Sequence, residues 1–357
     1  MELALYCPDF GYYEAEEDSI GRGGDFFTSV SVGSVFGELL AWQFAEWLLE
    51  IELASKSLRN PADTVPVENR TLYLIEGGAH NGRLAKYVLK WLSAERRSLY
   101  ERLQYLIIEP SVRRRSWQER ELREFGEHVR WAPSFESITE SDNPDLGSGI
   151  DGIIFSNELL DSFPVHRYGW EPKKREWFEW GVTVENEKFV WTRLLKPPPT
   201  LISEFANDGL SEEFSIEHCP SAERWWSDAA RTVRCGKLLT FDYGFVKNEA
   251  AKRASLQGTV RSYHKHLLTS EILANPGEQD LTAHVNFPRI QQAGEKAGLR
   301  TEAFQTQERF LTQLFGRAWK DPCISGKWTA GRSRQFQTLI HPEHLGTRFS
   351  VLLQARG

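Results

Sequence analysis

The stretch Leu72–Leu84, LYLIEGGAHNGRL, decides how the chain reads. A short apolar run ends in Glu76. Glycines follow at 77, 78 and 82, and then a helical pattern places Leu84, Val88, Leu89 and Leu92 on one face. Without a Cβ, glycine lets a ligand approach the backbone and lets the chain take positive φ. The start of the helix adds free N–H groups and the positive end of a dipole. Such a turn suits a nucleotide-like ligand with a carboxylate or a phosphate. The spacing is not G-x-G-x-x-G, and an acid closes the strand just before the turn, which argues against a dinucleotide. The plainer reading is a tight turn that only packs a helix on a sheet. It loses weight at Glu109, a second acid, which ends the next strand, LQYLIIE. In doubly wound sheets, ligands bind beyond the carboxyl ends of strands at the topological switch point. Glu109 is placed there to accept hydrogen bonds from ribose hydroxyls. NAD sites use the same device, so Glu109 by itself does not choose between cofactors.

Outward from this stretch, strand and helix patterns alternate. A helix starts at about Val35, and short strands fall at about His128–Trp131, at DGIIFSNE ending in Glu158, and at Lys237–Gly244. This alternation predicts an α/β, Rossmann-like fold: a mostly parallel sheet with helices on both faces. Near the end, a helix and a closing antiparallel hairpin are expected. Two regions break the rhythm. Residues 165–234 open with short aromatic strands broken by EPKK and VENEK, a β-meander insertion. Residues 245–290 form a second insertion on the substrate side, expected to be mostly helical. The resulting domain plan is an N-terminal lid with helices over 1–70, and a core over 71–164 and 235–357. Residues 1–33 are expected to be a lid loop without regular structure.

Composition narrows the function. The net charge of −7 excludes general nucleic-acid binding. The basic run at Arg113, Arg114 and Arg115 reads as a solvated helix face. Cys7, Cys219, Cys235 and Cys323 have neither metal-ligand nor redox spacing and read as reduced thiols of a cytoplasmic protein. The N-terminus lacks the basic start and apolar core of a signal peptide. The most apolar segment, Val35–Leu53, is broken by Glu38, Gln43, Glu46 and Glu50, so it reads as a buried amphipathic helix and not as a membrane span. No metal and no membrane insertion are expected; a homodimer stays open.

Several motifs together resemble the MidA family of class I S-adenosyl-L-methionine-dependent methyltransferases. They are ALYCPDFGYY, GRGGDFFTSVSVGSVFGELLA, LIEGGAHNGRLA, FSNELLDSFPVH, LLTFDYG, NPGEQDLTAHVNF and TQERFL, in the family's order over nearly the whole chain. The resemblance implies a class I methyltransferase sheet, S-adenosyl-L-methionine as cofactor, and a protein substrate with arginine favoured. It implies that Glu76, Gly77, Gly78 and Gly82 wrap the methionine end and that Glu109 holds the ribose. It also implies that Gly24, Asp25 and Thr28 belong to a lid over the site. SNELLDSFP matches the family's NE-x-x-DA-x-P signature at Asn157, Glu158, Asp161 and Pro164. The chain departs from the family where His80 replaces a usual glycine, where Val30 and Ser31 replace Pro-Glu, and where Ser162 replaces alanine. Family members often carry an extra N-terminal helix ahead of this start, which leaves the natural start open.

An arginine acceptor is a protonated, poor nucleophile. Two carboxylates can grip its planar fork with charge-assisted bonds and orient one nitrogen. Glu158 and Asp161, with Asn157 beside them, are the catalytic candidates. For Asp161, capping a turn is an equal alternative. Asp280 and His284 share a face if DLTAHV is helical, either as a substrate clamp or as a pair that pins the insertion. Asp242 either lines the substrate pocket or caps its turn. His80 caps or fills the glycine turn. Two rival readings remain: a catalytically weak assembly protein, with Trp177, Trp180 and Trp191 as its partner surface, and a small-molecule methyltransferase.

Overall fold

The computed structural model describes residues 1–15, 28–57, 71–139, 149–194, 214–245, 258–264, 267–269 and 271–357. Strand β1 (Leu72–Gly77) is buried along its whole length. Leu72 and Leu74 enter one core cluster, Tyr73 and Ile75 the other. That division follows from the two-residue period of a strand covered on both faces. On either side of β1 lie β2 (Leu103–Ile108) and β4 (Ile150–Asn157), with β3 (Val129–Ala132) beyond β2; all pair in parallel. The chain then makes a small sheet from β5 (His166–Glu171), β6 (Glu176–Glu185), β7 (Lys188–Arg193) and β8 (Phe214–His218). It returns to the main sheet as β9 (Val233–Phe245), parallel to β4. A three-stranded sheet follows, of β10 (Arg261–His264), β11 (Leu267–Thr269) and β12 (Asp280–Thr282). Then come β13 (Val285–Asn286), β14 (Arg300–Thr306) and β15 (Phe349–Arg356).

The main sheet has the order β14-β15-β9-β4-β1-β2-β3, with β13 paired to the end of β9. Only β15 runs antiparallel to its neighbours β9 and β14. It closes the sheet as the expected antiparallel pair, although three α-helices and a π-helical turn separate β14 from β15. The chain moves from β1 outward to β3 on one side, then continues with β4 and β9 on the other. The switch point therefore lies between β1 and β4. On one face the long helix Ser34–Ser57 buries Phe36, Leu40, Phe44 and Leu48. On the other, helix Pro220–Thr232 buries Trp226, whose Nε1 donates to Gln354 Oε1 at 2.8 Å. Each such fully buried large side chain contributes roughly 1.5–3 kcal/mol.

Three expectations need correction. Residues 1–33 are not free of regular structure, since a helix forms at Glu2–Tyr6 and a 3-10 turn at Tyr12–Glu14. The described part of the second insertion is β-structure and not mostly helical: β10 pairs antiparallel with both β11 and β12. Its Thr, Val, Ser and Tyr content favours pleated pairing, and left-handed glycines at 258 and 277 interrupt any helix. Finally, Trp177 is buried in the small sheet's own cluster with Tyr168, Trp170 and Ile216, so it is not part of an exposed surface. Residues 195–213 and 246–257 of the two expected insertions lie outside the described residues.

At Gly152 the central strands meet too closely for any side chain. A Cβ there would lie 2.1 Å from the Tyr73 carbonyl oxygen. We expect Gly152→Ala to cost about 1–3 kcal/mol by forcing β1 and β4 apart. The measure is a lower urea midpoint at unchanged m-value; an unchanged midpoint would refute the close approach.

Candidate active site

The carboxyl ends of β1, β2 and β4 open into one cavity of about 1170 Å³. Glu76, Gly78, His80, Glu109, Thr28, Asn157 and Glu158 line it. Gly77, Gly82, Asp161, Asp242, Asp280 and His284 do not. A Cβ at Gly77 would strike Trp225 at 2.3 Å, so this glycine makes room for a ring of the neighbouring helix. Gly82 takes φ +82 at the N-cap of helix Arg83–Glu95, and Gly78 takes φ +72. Both backbones are left-handed, which is cheap only for glycine. Gly24 and Asp25 lie outside the described residues.

Three acids on the cavity wall, Glu76, Glu109 and Glu158, are held by donors; the first two are buried and Glu158 is half-buried. Tyr105 Oη donates to Glu76 Oε2 at 2.5 Å. Burial nevertheless pushes the Glu76 carboxyl up to about 7, against the opposing pull of the Tyr105 bond. Glu109 Oε1 accepts from Ser111 N at 3.0 Å, and Oε2 from Gln118 Nε2 at 3.0 Å. Burial raises this carboxyl as well, with the nearby Arg114 charge acting in the other direction.

Glu158 stands just past β4 with φ +54. A left-handed backbone is uncommon for a residue with a Cβ and marks a site whose surroundings hold it there. Its N–H donates to Phe241 O at 2.9 Å. Its Oε1 accepts from Ser29 N at 3.1 Å and from Asn157 Nδ2 at 3.0 Å. Burial pushes this carboxyl up to about 8; the Asn157 bond lowers it and the Asp161 charge raises it further.

Asp161 does not converge on Glu158. It sits on the 3-10 turn Leu160–Ser162 with its carboxyl buried away from the cavity. Burial, Asp242 and Asp280 raise it, and the Tyr243 hydroxyl bonds to it. The two-carboxylate grip expected from Glu158 and Asp161 is therefore not formed, because the tight turn rotates the second acid inward. Asp242 accepts from Leu160 N and Tyr243 N, each at 2.8 Å. It caps this turn and does not face the pocket. Burial pushes its carboxyl up to about 7. Asp280 lies on β12 and accepts from Tyr13 Oη at 2.8 Å. His284 follows that strand and packs edge-on to Tyr243 and Phe245. The helical spacing expected for Asp280 and His284 does not exist, since the segment is extended.

Sequence reasoning expected a lid over residues 1–33 but missed the side chains that fasten this N-terminal strap. Tyr6 Oη donates to Ser162 Oγ at 2.9 Å, while Ser111 Oγ donates to Glu14 Oε2 at 2.9 Å. Arg114 Nε donates to Tyr13 O at 3.0 Å, with its guanidinium 4.6 Å from the centre of the Tyr13 ring. Arg113 bonds the Glu14 carbonyl. The basic run thus docks the strap and is not simply a solvated face. The only available signal was that Tyr6 and Tyr13 fall within ALYCPDFGYY. Gln118 and Tyr105 were missed too, and nothing in their neighbourhoods marks them.

A family model describing S-adenosyl-L-methionine-dependent methyltransferases matches residues 44–305. The chain belongs to this family, of the MidA type. The methyltransferase is 26% identical over 380 residues to "Protein arginine methyltransferase NDUFAF7, mitochondrial" of Danio rerio, covering 100% of this chain and 83% of that protein. To the Drosophila melanogaster homologue of the same name it is 24% identical, covering 100% and 80%. A crystal structure of a Burkholderia thailandensis protein superposes with a TM-score of 0.77 at 25% identity, covering 99% of this chain and 85% of that one. A second, bound to S-adenosyl-homocysteine, gives 0.76 at 24% identity, covering 99% and 86%. The methyltransferase uses S-adenosyl-L-methionine as cofactor. The cytoplasmic location expected from the cysteines and the N-terminus is overturned, because these curated relatives are named mitochondrial proteins. No helix among the described residues is long and apolar enough to cross a membrane.

The raised carboxyls set a pH dependence. Glu76, Asp242 and Glu158 titrate at about 7, 7 and 8 when folded, against 4.5, 3.8 and 4.5 as their ordinary values. Between those limits the folded state binds more protons than the unfolded chain, so stability falls as pH rises. We expect the melting temperature of the ligand-free methyltransferase to fall from about pH 5 to about pH 8. Glu158→Gln should flatten the upper part of that fall. A melting temperature that climbs over the range would contradict the burial argument.

Proposed function

We propose that the methyltransferase modifies a protein side chain, an arginine guanidinium, and that Glu158 receives it. The observation that carries this reading is the half-buried Glu158 carboxylate, held in a left-handed backbone on the cavity wall. Among the described residues its hydrogen bonds fall on Oε1, and Oε2 takes none. The cavity volume exceeds the several hundred Å³ that one small ligand commonly needs, which leaves room for an acceptor group beside the cofactor. The named relatives are protein arginine methyltransferases, which agrees with a guanidinium acceptor.

The wall residues fit the cofactor. Glu109 has two oxygens already oriented by donors, with lone pairs left over for ribose hydroxyls. Glu76 offers a buried carboxylate to a positively charged methionine end, and Gly78 keeps the backbone open to it. When bound, S-adenosyl-L-methionine supplies a methyl group activated on a positive sulfur. Glu158 Oε2 accepts an N–H of the guanidinium through a charge-assisted bond and fixes one nitrogen toward the cavity centre. Alignment of this kind is the main lever available in a displacement reaction. As the nitrogen becomes methylated it must shed a proton, and a carboxylate with a raised pKa is suited to take it at Oε2. Thr28, Tyr6 and Tyr13 line the same cavity. The single-carboxylate arrangement replaces the paired grip expected from the sequence.

Glu158→Gln keeps the shape and removes the charge. We expect it to lower methyl transfer into protein about 100-fold or more while S-adenosyl-homocysteine affinity stays within about three-fold. The assay supplies methyl-labelled cofactor and an arginine-rich protein, followed by hydrolysis and amino-acid analysis. Full activity of the variant would remove Glu158 from the mechanism. Label recovered in a residue other than arginine would overturn the acceptor assignment.

A further inference from the structure

We infer that Gln118 is a positioning residue for the cofactor's ribose: its buried amide fixes the Glu109 carboxylate and the glycine turn as one unit. The proposal rests on the reading that Glu109 accepts from the ribose hydroxyls. Helix Val112–Glu121, VRRRSWQERE, is mostly polar, yet the residue it buries fully is a glutamine, at 0% exposure. A buried amide is costly unless its hydrogen bonds are made. Here they are. Nε2 donates to His80 O at 2.9 Å and to Glu109 Oε2 at 3.0 Å, and Oε1 accepts from Trp131 Nε1 at 2.9 Å.

These partners follow or lie in three successive strands: His80 comes after β1, Glu109 after β2, and Trp131 is within β3. One side chain therefore ties together three strand ends on the cofactor side of the cavity. The amide's orientation is settled by its surroundings. Turned over, its oxygen would face two acceptors and its NH₂ would face the indole N–H. Two consequences follow. Glu109 cannot swing away, because Ser111 N holds one oxygen and Gln118 the other. His80, at φ +47, has its carbonyl anchored in a conformation that a residue with a side chain seldom takes. The bond thus supports a histidine at a place where glycine would have been the easier choice.

Removing the amide should loosen Glu109 without removing it. The test compares S-adenosyl-homocysteine with its 2′,3′-dideoxy analogue by calorimetry on the full chain. The wild-type protein should bind the dideoxy compound about ten-fold or more weakly, as expected when hydrogen bonds to a charged group are lost. Gln118→Met keeps the volume but not the bonds. It should bring the two affinities to within about two-fold of each other, a coupling a merely structural residue would not show. If both ligands weaken equally and the wild-type ratio persists, Gln118 only docks its helix and the inference fails. Should Gln118→Met not yield folded protein, the same ratio in Trp131→Phe decides. That variant removes the donor to Gln118 Oε1 together with part of the ring beside Arg115, and an unaltered ratio overturns the proposal. Glu109→Gln is the control. A wild-type ratio near one, or a ratio that Glu109→Gln leaves intact, sinks the ribose reading itself and not the Gln118 step alone.

Discussion

Acids buried at strand ends govern this molecule. Glu76, Glu109 and Glu158 follow or end β1, β2 and β4 and face one cavity, the first two buried and Glu158 half-buried. An isolated carboxylate in such a place is costly, so it must either find donors or take up a proton. Most of the local architecture meets that demand. Tyr105 reaches across from β2 to Glu76. Ser111 and Gln118 bracket Glu109. Ser29 and Asn157 share one oxygen of Glu158. Ser29 and Tyr105 come from segments 129 and 29 residues away from the acids they meet, so these bonds form only when the sheet and its covering layers are in place together.

The N-terminal strap spans this cavity from one side to the other. Glu14 meets Ser111, whose own N–H holds Glu109. Tyr6 meets Ser162, four residues after Glu158, and Tyr13 meets Asp280 in the second insertion. A short peptide is thus fastened at the ribose end and at the acceptor end. Its bonds are individually modest, on the order of 1 kcal/mol each. Together they make the wall of the acceptor side depend on the same residues that orient the cofactor side.

How much of this was legible follows from the kind of signal each feature leaves. The parallel sheet was readable because Leu72–Gly77, Leu103–Ile108 and Ile150–Asn157 are short apolar runs that stop at acids. Glu76, Glu109 and Glu158 were readable for the same reason, since an acid closing a buried strand is conspicuous. Asp161, Asp280 and His284 were misplaced because their spacing was read as local geometry. A 3-10 turn turned Asp161 inward, and an extended backbone cancelled the helical relation of the other two. Gln118 left no local trace, and the strap tyrosines left only their place in ALYCPDFGYY. Their roles come from partners tens to hundreds of residues away, such as Tyr13 and Asp280 at a separation of 267. Periodicity and short motifs do not reach that far. The insertion's strands were lost to the same weakness, because short apolar runs do not distinguish strand from helix.

Behind Glu158 lies a feature that the chemistry of the cavity alone does not require. Asp161, Asp242 and Asp280 are buried close to one another, with Tyr13 and Tyr243 among them. Carboxyl groups so placed cannot all ionise, and their protons belong to the set and not to single residues. Asp242 accepts from Leu160 N, in the turn that carries Asp161, and from Tyr243 N beside it. Asp161 then adds its field to that of burial in raising Glu158. The cluster costs stability as pH rises, since folding keeps acids protonated that water would ionise. A more stable protein would replace these acids with packed apolar side chains. Keeping them holds a left-handed glutamate in place and keeps its carboxyl proton-hungry near neutral pH. Those are the two properties that a group receiving a cation and then taking its proton must have.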